Sequence, residues 1–146
     1  MSLDADAELL SAIPVFKLLE PEAIRLLAFH AEEIELAEGD MLFNNGDKSD
    51  GGLVVLDGTI ELVSESEGVR STVTVKKGSL IGQLALITDV THRSDAKAMS
   101  RASIMKIQRN SFQRVLREYP GTAAKIRASI ASDLLEFTSA LARSRA

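Results

Sequence analysis

The chain has 146 residues, 45% of them hydrophobic and 26% charged, with a formal net charge of −4. That size suits one globular domain, spanning 1–146, with a buried core, and the lysines and arginines are scattered rather than massed, so direct nucleic-acid binding is not expected. Cysteine is absent, which excludes disulfides, thiolate metal sites and cysteine nucleophiles; no uncharged apolar run approaches the roughly 18 residues of a membrane span, and the reading is a cytoplasmic protein without membrane contact.

Residues 1–31 read as helices. In "PEAIRLLAFHA" Pro21 suits a first helical position, and Ile24, Leu27, Ala28 and Ala31 recur at helical spacing, which predicts a short helix to about His30. From Glu32 the period changes. Eight of the nine glycines lie between Gly39 and Gly82, whereas Pro14, Pro21 and Pro120 lie outside that window, so turns crowd the middle of the chain. Short β-type runs broken by Gly39, Asn44-Asn45-Gly46, Gly51-Gly52 and Asp57-Gly58, then "STVTVKKGSLIG" and "ASIMKIQR", predict a mainly β domain, a small antiparallel barrel or jelly roll over 32–109. "ESEG", Glu65 to Gly68, reads as a solvated hairpin loop. Helical period returns over 110–146, and Ile126, Ile130, Leu134, Phe137 and Leu141 follow one another at three- or four-residue steps. That stripe can pack on the barrel or pair with its copy in a second subunit.

Several stretches, in this order and at this spacing, carry a resemblance. They are "LLSAIPVF", "EGDMLFNNGDKSD" with Gly39, Gly46, Asp47 and Asp50, "VVLDGTIEL" with Gly58, and "GSLIGQLALI" with Gly78 and Gly82. The chain resembles the cyclic nucleotide-binding domain of bacterial transcription regulators and kinase regulatory subunits. The resemblance covers essentially the whole chain and implies a double-stranded β-helix, or jelly-roll, with N-terminal helices and a long C-terminal helix. It also implies a regulatory sensor for cAMP or cGMP, with no other cofactor and no metal. The alternative is a degenerate form of the fold that acts as a dimerising interaction module without nucleotide.

In that family the phosphate-binding cassette corresponds to Ile81 to Ala98, "IGQLALITDVTHRSDAKA". A glycine leads into a short helical turn that faces the cyclic phosphate, a glutamate accepts the ribose 2′-hydroxyl, and an arginine pairs with phosphate oxygens. Gly82, Leu84 and Ala85 match, but Gln83 stands at the glutamate position, where its amide oxygen accepts a hydroxyl without a charge. That change weakens binding by about 1 to 2 kcal/mol. For the arginine two registers compete, one placing Arg93 and the other His92 on the pocket side. Ser94, Ala96 and Ala98 form one small, inward-suited face, while Arg93, Asp95 and Lys97 form the charged face opposite, a pattern that favours His92. A mostly neutral imidazole is a poorer phosphate partner than a guanidinium, and it depends on pH.

The resemblance further places Phe137 and Thr138 near the nucleotide base and makes the last helix a homodimer seam. No helix-turn-helix follows, so any DNA output belongs to another segment or to an unidentified effector protein. Enzyme readings find no support: a metal-dependent cupin needs clustered histidines, whereas His30 and His92 are far apart, and no serine sits in a nucleophile-elbow pattern. His30 reads as a packing or surface histidine. "DKSDGG" lacks the ligand spacing of a calcium loop.

Overall fold

The computed structural model describes residues 3–145, with side chains described through residue 132. Two helices, α1 (Leu3–Ser11) and α2 (Pro21–His30), flank a 3-10 turn at Pro14–Leu18. Ten strands follow among the described residues: β1 (Glu32–Leu36), β2 (Met41–Phe43), β3 (Lys48–Ser49), β4 (Gly51–Asp57), β5 (Ile60–Ser66), β6 (Val69–Val75), β7 (Leu80–Ile81), β8 (Val90–Thr91), β9 (Asp95–Ala98) and β10 (Ala102–Gln108). The helices α3 (Arg109–Glu118) and α4 (Pro120–Arg145) close the chain. A 3-10 turn at Gln83–Leu86 interrupts the strands.

The strands form an antiparallel jelly roll that does not close into a barrel. One sheet has the order β1-β10-β4-β7, a second has the order β2-β9-β5-β6, and β3 pairs only with β8. The reason lies in strand length: β3, β7 and β8 have two residues each, too few to carry a hydrogen-bond ladder from one sheet to the next. The β5–β6 hairpin turns on two residues, Glu67 and Gly68, because Ser66 still pairs with Val69. The strands therefore take in part of the stretch read as a loop.

Burial explains why "GGLVVL" has no polar alternation. Leu53 and Val55 of β4 face the second sheet, where they pack with Phe43, Ile60, Ala96 and Ala98. Val54 and Leu56 face the other way, into a core shared with Leu10, Phe16, Leu27, Phe112 and Ile126 from the helices. A strand covered on both faces reads as a continuous apolar run. The same helical core takes Ile130 of α4, only 2% exposed. Ile126 and Ile130, the first half of the stripe, therefore pack on this chain's own core, while Leu134, Phe137 and Leu141 lie outside the residues whose side chains are described. No helix among the described residues is long and apolar enough to cross a membrane.

Candidate functional site

The cassette is anchored at its start by the covered sheet. Ile81 pairs with Leu53 of β4, and Gly82 then turns the chain with φ of 76°, a left-handed conformation that favours glycine. The turn Gln83–Leu86 follows, closed by Ala85 N–H to Gly82 O at 3.0 Å and Ile87 N–H to Leu84 O at 3.1 Å. Ala85 and Leu86 are fully buried, so the apolar half of the motif also fills the core.

Beside this turn lies a cavity of about 990 Å³. Gly82, Leu84, Ala85, His92, Arg93 and Ser94 all stand on its wall. Gln83 is half-buried and is not among the lining residues. Phe137 and Thr138 fall outside the residues whose side chains are described. In β9 Ala96 and Ala98 are fully buried and Lys97 is exposed, the alternation read from the sequence. Arg93 is exposed yet reaches the cavity rim as His92 does, so the two residues share the wall rather than taking opposite sides. Asp95 is engaged elsewhere: its Oδ1 accepts the Asn45 N–H at 2.7 Å.

His92 is the most constrained of the polar residues. Its ring stacks on Phe43, with centroids 3.5 Å apart and planes 9° from parallel. Its backbone is tied to the neighbouring turn, receiving the Gly46 N–H on its carbonyl and donating its N–H to Asp47 O, both at 2.8 Å. Burial lowers its pKa below the ordinary imidazole value, while the nearby Asp47 and Asp50 carboxylates pull the other way. The ring is accordingly a neutral, partly apolar surface near pH 7.

Several wall residues were not read as site residues in the sequence, although Phe43 and Asp50 belong to the stretch "EGDMLFNNGDKSD" that carries the resemblance. Phe43, Lys48, Asp50, Asp89 and Arg109 also line the cavity. Asp50 is paired with Lys106 at 2.9 Å, and that hydrogen bond holds its carboxyl below the usual carboxylate range. Arg109, the first residue of α3, reaches back under the cassette to the carbonyls of Ala85 and Thr88 and to the Asp89 carboxylate. Local periodicity says nothing of a contact spanning some twenty residues; the one available cue was a lone arginine directly after the last strand. Among the described residues no group of three or more His, Cys, Asp or Glu side chains is placed to hold a metal ion.

Residues 33–119 match the cyclic nucleotide-binding domain, more than half of the chain. The chain belongs to that family. A cyclic nucleotide-binding-like protein from Brucella abortus is 34% identical, with a TM-score of 0.69 covering 77% of this chain and 97% of that one. The N-terminal domain of a transcriptional regulator from Streptomyces coelicolor is 26% identical, with a TM-score of 0.79 over 91% of this domain and 94% of its own chain. The regulatory domain of Toxoplasma gondii PKA with cAMP shares the fold, with a TM-score of 0.74 at 18% identity over 92% of this chain and 50% of that one. Among curated proteins, lysophospholipase NTE1 of Phaeosphaeria nodorum is 27% identical over 116 residues, 78% of this chain. The match with the Chaetomium globosum protein of the same name is 28% over the same share. The chain spans about 8% of the length of these curated relatives. A cyclic nucleotide-binding fold of this kind supports a regulatory or sensor role, and the domain resembles regulatory, non-catalytic domains.

Proposed function

We propose that this domain is a regulatory sensor that takes a cyclic nucleotide, cAMP or cGMP, into the cavity beside the cassette turn, with reduced affinity. One observation carries the reading: Gly82, Leu84 and Ala85 share a single cavity wall with His92, Arg93 and Ser94. At about 990 Å³ the space is ample for such a ligand. The reduction in affinity follows from the polar groups. Gln83 supplies no charge, His92 is held neutral by burial, and the carboxylates of Asp50 and Asp89 stand in the wall that a phosphate would approach. Arg93 and Lys48 are the exposed cations in that wall.

Isothermal titration of the chain with both nucleotides tests this. Saturable binding is expected, tightening as pH falls from about 7.5 to about 5.5 if protonated His92 supplies the missing charge. Gln83→Glu combined with His92→Arg should strengthen it by about tenfold or more. If Arg93 is the phosphate partner instead, Arg93→Ala abolishes binding and His92→Ala does little. No heat from the double variant at millimolar nucleotide would remove the proposal and leave a second reading, an interaction module without nucleotide. The carboxylates in the wall favour that second reading.

In either reading the domain is non-catalytic. The activity named for the lysophospholipase relatives is not carried over to a chain matching about 8% of their length. The far half of α4 serves as the homodimer seam in this proposal through the rest of the stripe, Leu134, Phe137 and Leu141, with Phe137 and Thr138 near the nucleotide base and an effector protein as the output partner. Leu134→Asp should then give a folded monomer, and a wild-type chain that sediments as a monomer at tens of micromolar would contradict it.

A further inference from the structure

Arg109 opens α3 immediately after β10, and its side chain turns back beneath the cassette. Nη1 donates to three carbonyl oxygens: Ser49 at 3.3 Å, Ala85 at 3.0 Å and Thr88 at 2.8 Å. Nη2 pairs with Asp89 Oδ1 at 2.5 Å. The Arg109 backbone N–H is also held, donating to Asp50 O at 2.7 Å. One guanidinium thus ties together the end of β3, the cassette turn and the loop after it.

Two features suggest what this arrangement does. The Arg109 side chain is only 16% exposed, whereas that of Asp89 is 96% exposed. A cation so far from water requires acceptors, and the carbonyls meet that need where an ion pair with a solvated partner adds little. The cassette turn, for its part, is a single 3-10 turn with few internal hydrogen bonds, so external anchors decide where it sits. Its start is anchored by the Ile81–Leu53 pairing and its end by Arg109.

We propose that Arg109 is a positioning residue of the ligand site: by holding the carbonyls at the end of the cassette turn, it keeps Gly82, Leu84 and Ala85 in the cavity wall without touching the phosphate itself. The proposal rests on the reading of this cavity as a cyclic nucleotide site. Although Arg109 reaches the same cavity, its Nη1 hydrogens are shared among three carbonyls and its Nη2 faces Asp89, which leaves the guanidinium committed to the protein.

The test compares wild type with Arg109→Gln, Arg109→Lys and Asp89→Asn by hydrogen exchange and by titration with cAMP and cGMP at low and high salt. In the free chain Arg109→Gln should speed exchange across residues 82–89 by about tenfold or more, with β4 and β10 at wild-type rates. Arg109→Lys should restore part of the protection, and Asp89→Asn should match wild type. On titration, Arg109→Gln should weaken nucleotide binding by about tenfold while leaving its salt dependence unchanged, because a side chain that does not meet the phosphate contributes no screened attraction to it. Unchanged exchange at 82–89 in Arg109→Gln would overturn the proposal, as would a loss of salt dependence, which would make Arg109 a direct anion partner. If Arg109→Gln also exposes β4 and β10, the lysine variant decides: intermediate protection at 82–89 supports the proposal and wild-type protection overturns it. If wild type binds neither nucleotide, the ligand reading falls, and the exchange result still decides whether Arg109 places the turn.

Discussion

The sheet β1-β10-β4-β7 is covered on both faces along β4, by helices behind it and the second sheet in front, whereas β2-β9-β5-β6 is covered on one. Along β4 Leu53, Val54, Val55 and Leu56 are all at most 6% exposed, but Val69 and Val73 of the edge strand β6 are 64% and 56% exposed. The cassette hangs between the two. Its glycine and apolar turn leave directly from β7 on the covered sheet, and its polar end, His92 to Ser94, runs into β9 on the open one. The part of the site that packing determines is therefore attached to the frame. The part that selects a ligand by charge is attached to the sheet with solvent on one side, where side chains change at little cost to the fold.

Substitutions behind the covered sheet should do the most damage. Phe112 is fully buried and meets Phe16 edge-on at 6.1 Å, so Phe112→Ala should cost about 3–5 kcal/mol in urea unfolding. Within the sheet, a Cβ at Gly51 would lie 2.1 Å from the Ile107 carbonyl of β10. Gly51→Ala must push the two strands apart and should cost about 1–3 kcal/mol. If either variant unfolds at the wild-type denaturant midpoint, the covered sheet is not the frame.

A smaller effect separates the cassette from both sheets. Because burial lowers the pKa of His92, the unfolded chain takes up the proton first as pH falls. The stabilisation from neutral His92 is fully present above the ordinary imidazole value near 6.5 and is lost as pH drops below it towards the lowered folded value. His92→Phe retains a ring to stack on Phe43 and cannot titrate, so denaturant midpoints measured across that window should fall less steeply in the variant than in wild type. Equal slopes would mean that His92 is not desolvated. Smallest of all, Val73→Ala on the open sheet should change stability by less than about 0.5 kcal/mol, and a larger loss would point to a partner covering β6.

What was legible in the sequence follows the same division. The runs after Gly51-Gly52 mark a short strand, Pro21 marks the start of α2, and Gly82 with its leucines marks the cassette turn, since each leaves a local pattern of residue type or backbone conformation; that β4 is buried on both faces became visible only with the packing. The inward alternation of Ala96 and Ala98 was equally visible. Contacts between distant segments were not. Nothing near Phe43 announces that a ring from residue 92 will stack on it, and nothing near Ala85 announces a guanidinium from residue 109. The stripe on α4 shows the limit from another side. Its spacing fits a core face and a subunit seam equally well, and Ile126 and Ile130 take the first role. The failure of the strands to close into a barrel was hidden as well, because two-residue strands such as β3, β7 and β8 leave no period to read.

The central claim is that the cavity beside the cassette turn receives a cyclic nucleotide. Amide chemical shifts of the labelled chain, followed during titration with cAMP and then cGMP, test it most directly. The account predicts saturable shifts centred on Gly82 to Leu86 and on His92 to Ser94, with β1 and the helical layer behind the covered sheet largely unmoved. Shifts confined to other surfaces, or none at millimolar nucleotide, would contradict it.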